Sequence, residues 1–503
     1  MRTYLVQSNP TVGAIDKNLQ KILAALQAAK ASRAELAVFP ELALSGAPLN
    51  DLLFHRDVVM ACEAALKKIA EASHGLTVVL GSPGTDGRAV FDGAILFHDG
   101  EEIGRQHDVC WRWEAGGKKL GIIIGEGPVE DFSEQADMIV HLAASPWSPG
   151  ADQNRRTALG RRAQSLHLPY LFANLVGGND GWIFDGGSFL CSAEGTVLFQ
   201  APSFQEFSGL VAEGGPAAPT SCGVREAILL GIQDFFEKQQ ISDALVGLSG
   251  GIDSSVVAAL AAQALGPSHV HGVLLPSRWT SKESTDGATN LCRNLGISMR
   301  TIPIEATVEN VSKELVRSGV CLSGVAAENI QSRSRSLILM ALANAEGSLV
   351  LGTGNKSEVA LGYATLYGDL CGALLPIGDL FKTEVYELAR SLNESKELIP
   401  ESILQRPPTA ELHAGQKDSD DFPEYALLDP VLRLLLLEGL PPEEVSTQTG
   451  MRLSTVRSLA QRIMNAEFKR RQAPCILRLS SKAFGTDIVY PIVNKWCSNG
   501  SIS

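Results

Sequence analysis

The chain has 503 residues, more than one hydrophobic core organises, so two domains are expected. An apolar content of 45% and a charged content of 20% are those of an ordinary globular protein, and a net charge of −13 argues against nucleic acid or an anionic membrane as a general partner. The nine cysteines form no C-x-x-C pair and no apolar run is long enough to span a membrane, so the expected setting is a reducing cytoplasm.

In chain order, Tyr4–Gln7, Leu36–Phe39, Thr77–Leu80, Gly121–Ile124, Met138–Leu142 and Tyr170–Leu175 read as buried strands. Helical spacing marks Lys17–Lys30, Val58–Ala72 and Gln153–His167 between them. This alternation predicts an α/β layered domain over 1–205, and the glycine- and proline-bearing stretch 206–221 reads as a linker. A second α/β set over 222–503 opens with the strand at Ala244, followed by His269–Leu275, Ser284–Leu295 (helix), Ser298–Ile304, a helix from about Ala327 to Ala345, and Leu349–Gly352. Such alternation predicts a doubly wound parallel sheet with ligands at the carboxyl ends of its strands.

In the first domain, Glu41 follows a buried strand in Val38-Phe39-Pro40-Glu41-Leu42, where a carboxylate serves either as a general base or as a structural hydrogen-bonding group. With Ala144-Ser145-Pro146-Trp147, Asn174-Leu175-Val176-Gly177-Gly178 and Phe184-Asp185-Gly186-Gly187-Ser188, this string resembles the nitrilase, or carbon–nitrogen hydrolase, family in its glutaminase form. The resemblance implies an αββα sandwich and a Glu–Lys–Cys triad that splits glutamine to a thioester and ammonia. Only the Glu matches. Ile124-Gly125-Glu126-Gly127 stands where the family carries its Cys, the segment from Gly104 to Glu114 holds no Lys, and Gly150-Ala151 replaces a substrate-contacting Gly-Lys. The expectation is an inactive amidase domain with Glu41 as its remnant. The alternative is a site rebuilt around Cys110, which has His107 and Trp111 as neighbours.

The second domain carries Gly247-Leu248-Ser249-Gly250-Gly251-Ile252-Asp253-Ser254-Ser255 between an apolar strand and an alanine-rich helix. Backbone N–H groups at such a helix start seat phosphate, the glycines admit close approach, the serines add donors, and Asp253 is a natural ligand for Mg2+ between phosphate oxygens. Further strings fall at strand ends: Thr353 to Glu358, Tyr367-Gly368-Asp369, and Asp379-Leu380-Phe381-Lys382. On the long helix Asn329, Arg333 and Arg335 offer an amide and two guanidiniums, the two arginines on different faces because they are two residues apart.

With Arg406-Pro407-Pro408-Thr409 and Glu467-Phe468-Lys469-Arg470-Arg471-Gln472, these strings resemble NAD synthetases over about residues 222–494, and the whole chain resembles their two-domain, glutamine-dependent branch. The resemblance implies an adenine nucleotide α-hydrolase-like sheet and ATP-dependent amidation of nicotinic acid adenine dinucleotide (deamido-NAD) through an acyl adenylate. By it, Gly247 to Ser255, Thr353, Lys382 and Thr409 meet ATP, and Asp253 and Glu358 hold Mg2+. Asn329, Arg333, Glu358 and Lys469 face deamido-NAD, and Asp369 lies near the reacting amide, with Asp253, Lys382 and Asp369 as the catalytic set. A homo-oligomer is implied, and free ammonia is the expected nitrogen source. The alternatives are a glutamine-dependent NAD synthetase with a rebuilt amidase site and another amide-forming enzyme that splits ATP to pyrophosphate.

Overall fold

The computed structural model describes residues 1–85, 90–106, 110–115, 117–125, 136–212, 223–409, 411–413, 416, 421–494 and 496. They fall into two compact units, Met1–Leu230 and Gly231–Ser503.

The first unit contains two six-stranded sheets. One runs, in spatial order, Phe207–Leu210, Thr3–Gln7, Leu36–Val38, Thr77–Thr85, Val90–His98, Glu101–Gln106. The other runs Val197–Gln200, Phe189–Cys191, Tyr170–Asn174, Met138–Ala143, Lys118–Ile124, Cys110–Ala115. In each sheet the central three strands pair in parallel and every other pairing is antiparallel. Successive residues of the central strands serve different layers, as the two-residue period of a strand requires. Val79 and Leu96 meet Ile122, Val140 and Leu171 between the sheets. Val78, Leu80, Ile95 and Phe97 instead pack with Ile22 and Leu26 of the helix Ile15–Ala31 and Leu66 and Ile69 of the helix Arg56–Ala72. On the outer face of the second sheet, Leu159 and Ala163 of the helix Ala151–Leu166 cover Ile139, Tyr170 and Phe172. The result is the αββα layering.

One boundary moves. Residues 207–210, read as linker from their glycine- and proline-bearing surroundings, are the edge strand paired antiparallel with Thr3–Gln7, Tyr4 opposite Leu210. Residues 213–221 of that linker lie outside the described residues.

The second unit has a wholly parallel sheet in the order Ser298–Thr301, Val270–Leu274, Ala244–Leu248, Leu349–Leu351, Leu374–Leu375, Cys475–Ile476. In chain order that is 3-2-1-4-5-6, whose direction reverses between the strands at Ala244 and Leu349. The crevice above those two carboxyl ends is where such a sheet receives a ligand. The helix Ile252–Leu265 is buried on nearly all sides, which accounts for its alanine and valine content and lack of a polar stripe. No helix among the described residues is long and apolar enough to cross a membrane.

Candidate functional site

The strand Ala244–Leu248 runs out at Ser249 and the chain turns into the helix at Ile252. Gly250 makes the turn with φ +77°, and a Cβ there would lie 2.6 Å from Ser284 Cα, so the position admits only glycine. Gly251 is the N-cap and supplies no side-chain oxygen to the first helical amides, which leaves them for an anion. The loop is stiffened from within: Gly251 N–H donates to Ser249 Oγ at 3.2 Å and Ser254 Oγ–H to Gly251 O at 3.1 Å. Ser255 does not join the loop's open face. Its hydroxyl donates back to Gly251 O at 2.8 Å and is fully buried, because a residue one turn into the helix points at the preceding carbonyl.

The neighbouring strand ends at Leu351, and its successor segment enters the short helix Lys356–Leu361 through a capping box: Glu358 N–H donates to Asn355 Oδ1 at 3.1 Å and Asn355 N–H to Glu358 Oε2 at 3.2 Å. The Asn355 amide also donates to Asp253 Oδ1 at 3.0 Å, tying the two strand ends together. Lys382, only 2% exposed, pairs with Asp253 Oδ2 and stands 3.6 Å from Glu358 Oε1, with the Tyr425 ring 5.4 Å from its ammonium. Two carboxylates thus converge on one cation at the mouth of the glycine loop. Among the described residues no group of three or more His, Cys, Asp or Glu is arranged around a metal. Two carboxylates are nevertheless the protein share that Mg2+ takes when phosphate oxygens and water complete its octahedron, so Asp253 and Glu358 fit that ion.

These groups line a cavity of about 530 Å³ that also receives Asn329, Thr353, Asp369, Thr409 and Lys469. Thr365 Oγ–H donates to Asn329 Oδ1 at 2.8 Å, and Asp369 Oδ1 accepts from Ser332 Oγ at 2.9 Å and Thr365 N–H at 2.8 Å. Thr409 Oγ–H donates to Gln416 O at 2.6 Å. The Lys469 ammonium donates to the carbonyls of Gly362 and Ala364, both at 2.7 Å, and burial pulls its pKa down against the nearby Asp369 charge.

Arg333 is not among the cavity residues: it is exposed, with Nε–H donating to Leu366 O at 3.1 Å. Arg335, two positions on and therefore on another face, lines the cavity instead. Burial pulls its guanidinium pKa down, opposed by Glu411 and Asp369, which is the state of a cation that gains from an anionic ligand. The sequence offered both arginines with no way to tell which face of the helix turns inward; Asn355 carried no signal beyond its place in the strand-end string.

In the first unit, Glu41 follows its strand as expected, and its backbone lies so close to Gly81 that a Cβ there would be 2.8 Å from Leu42 N. Ala144 N–H donates to Glu41 Oε2 at 2.7 Å. Asp92 shares a hydrogen bond with Glu41; burial first, then the Glu41 charge and that bond, push Asp92 well above the usual carboxylate range. Gly125 closes the strand Lys118–Ile124 with φ +64°, and a Cβ built on it would sit 3.4 Å from Glu41 Oε1 with nothing else within 4 Å. His141 Nε2–H donates to Gly125 O at 2.8 Å while Tyr170 O–H donates to His141 Nδ1 at 2.9 Å. The three strings around Ser145, Asn174 and Asp185 also meet. Ser145 N–H donates to Asn174 Oδ1 at 2.8 Å, Asn174 Nδ2 to Gly186 O at 3.1 Å, and Arg155 pairs with Asp185. Cys110 opens an edge strand opposite Ile123, and its side chain, like His107 and Glu126, lies outside the described residues.

Residues 224–473 match the family described as NAD synthase, and residues 3–118 the family described as carbon–nitrogen hydrolase. The chain is 36% identical to the glutamine-dependent NAD(+) synthetase of Synechocystis sp. and 35% identical to that of Thermotoga maritima, with 99% of both chains covered each time. The solved glutamine-dependent NAD+ synthetase of Acinetobacter baumannii, in complex with adenosine diphosphate, superposes with a TM-score of 0.75 at 31% identity, over 99% of each chain. All three carry glutamine in their names, which agrees with the glutamine-dependent alternative of the sequence reading rather than with free ammonia.

Proposed function

We propose that this chain, which belongs to the family of two-domain NAD synthetases, forms NAD by ATP-dependent amidation of deamido-NAD with ammonia that is not released at Glu41. It is a carbon–nitrogen ligase. One observation carries the reading of the site: Asp253, Glu358 and Lys382 converge beside a glycine loop at the carboxyl ends of two adjacent parallel strands. A carboxylate is a poor acceptor for ammonia until its oxygen becomes a leaving group. In the proposed sequence the nicotinate oxygen attacks the α-phosphorus of ATP, the bond to the β-phosphate oxygen breaks, and pyrophosphate leaves. Ammonia then adds to the acyl carbon, AMP departs with the former carboxylate oxygen, and a proton is lost.

Attack at phosphorus asks the protein for alignment and charge neutralisation rather than for a nucleophile. The first amides of the helix, from Ile252 onward, cradle the phosphates, and Lys382 draws off charge developing on the leaving pyrophosphate. Asp253 and Glu358 would hold Mg2+, whose charge would add to that neutralisation. Thr353 and Thr409 contribute hydroxyls to ATP. Asn329, Arg335 and Lys469 serve the dinucleotide, Arg335 taking the part first expected of Arg333, while Asp369 stands near the new amide. A homo-oligomer and a cytoplasmic setting, where ATP is made and thiols stay reduced, belong to the same reading. So do domains of 1–205 and 222–503, the first extended to take in the strand Phe207–Leu210.

The nitrogen source rests on Gly125, which puts no nucleophile opposite Glu41. A second reading, favoured by the names of the relatives, keeps glutamine as donor and needs another thiol in the first unit. Both share the adenylation step, which labelled pyrophosphate tests. With deamido-NAD and Mg2+ but no nitrogen source, label should enter ATP; no exchange at any dinucleotide concentration would refute the adenylate.

A further inference from the structure

Lys382 and Glu358 stand on different helices and meet at 3.6 Å. A buried carboxylate on a third helix also ties those two helices together. Asp429, 3% exposed in the helix Tyr425–Arg433, accepts the Ser357 hydroxyl on Oδ1 at 2.6 Å and Thr383 N–H on Oδ2 at 2.8 Å. Ser357 Oγ in turn accepts Lys382 N–H at 3.0 Å. The first two amides of the helix Lys382–Leu392 are therefore held by Ser357, the neighbour of Glu358, and by Asp429. The same third helix supplies Tyr425, whose ring faces the Lys382 ammonium at 5.4 Å.

We propose that Asp429 is a positioning residue of the amidation reaction, which through Ser357 keeps the Lys382 ammonium and the Glu358 carboxylate in register at the phosphate end of the cavity. The proposal rests on the assignment of Lys382 and Glu358 to ATP and Mg2+ above. Asp429 is not among the residues that line the cavity. It is buried with both carboxylate oxygens bonded, to Ser357 and Thr383, so the three groups form one closed unit rather than a solvated cap. A displacement of about 1 Å at groups that act in a transition state lowers turnover by about 100-fold, while binding of a substrate held elsewhere is untouched.

The test uses the full chain with Ser357→Ala, Asp429→Asn and the double variant. Pyrophosphate exchange and NAD formation with ammonium are followed at a temperature where circular dichroism shows each protein fully folded. Expected are a fall in kcat of about 10- to 100-fold in each single variant and a KM for deamido-NAD within about twofold of wild type. The magnesium concentration for half-maximal rate should rise several-fold, and the double variant should be no slower than the slower single, since both act through one network. A merely structural contact would lower the melting temperature and leave kcat and the magnesium requirement unchanged, and that result overturns the proposal. Should Asp429→Asn fail to fold, Ser357→Ala decides by the same readouts. A wild type without exchange activity refutes the adenylation reading itself, a different result from normal exchange in all variants.

Discussion

Gly250→Ala puts the phosphate loop under the most direct strain. The added Cβ would lie 2.6 Å from Ser284 Cα and 2.8 Å from Ser284 C, both backbone atoms that no rotamer change can move. Ordinary contact begins near 3.4 Å, so the loop or the helix Lys282–Leu295 must shift by close to an ångström, at an overpacking cost of about 1–3 kcal/mol. The φ of +77° adds about 1–2 kcal/mol for any residue with a Cβ. A domain with ordinary stability survives that loss, but its phosphate amides do not stay in place. A shift of about 1 Å translates to about a 100-fold fall in kcat/KM for ATP, or about 2.7 kcal/mol of transition-state stabilisation. The control is Gly439→Ala, where φ is +69° and nothing lies within 4 Å of the new Cβ. It carries the conformational cost alone and should keep full activity. Pyrophosphate exchange measured against ATP concentration gives the comparison. Exchange by Gly250→Ala within threefold of wild type would refute the claim that this loop holds the phosphates.

Lys356 and Asp379 are wholly buried and paired, so Lys356→Met should leave an uncompensated carboxylate and lower unfolding stability by about 3–5 kcal/mol in urea titrations, with part of the loss recovered by adding Asp379→Leu. Glu358→Gln should raise the half-saturating magnesium concentration of the exchange reaction by about tenfold, because one of two anionic ligands is lost. Burial lowers the His141 pKa from 6.5 to about 4, so the folded first unit stays neutral there while the unfolded chain takes up a proton. Stability is therefore full above pH 6.5 and falls by about 1.4 kcal/mol per pH unit between 6.5 and 4. Thermal melts across that window should show the slope, and His141→Gln should flatten it.

The central parallel strands were legible because both of their faces are buried, which turns Leu36–Val38, Ala244–Leu248 and Val270–Leu274 into short apolar runs. Glu101–Gln106 is an edge strand with exposed Glu101 and Glu102, and Leu374–Leu375 and Cys475–Ile476 have two residues each; neither kind carries a readable period. Phe207–Leu210 looked like linker because only its pairing with Thr3–Gln7 makes it a strand. The glycine loop was visible from local chemistry alone, since a strand, a left-handed turn and a helix start are all written in consecutive residues. Asn355 and Asp429 were not, for their partners Asp253 and Thr383 lie 102 and 46 residues away in the chain. Arg335 was offered beside Arg333, but the sequence of that helix does not say which of its faces meets the cavity. Ser255 belonged to the loop by motif and to the helix by geometry.

The most direct test of the account is NAD formation by the purified full chain from deamido-NAD, ATP and Mg2+, with ammonium chloride in one arm and ammonia-free glutamine in the other. NAD should form with ammonium, and none above background with glutamine. Glutamine-driven synthesis at a rate equal to that with ammonium would contradict it, and would mean that a thiol other than one at position 125 works with Glu41.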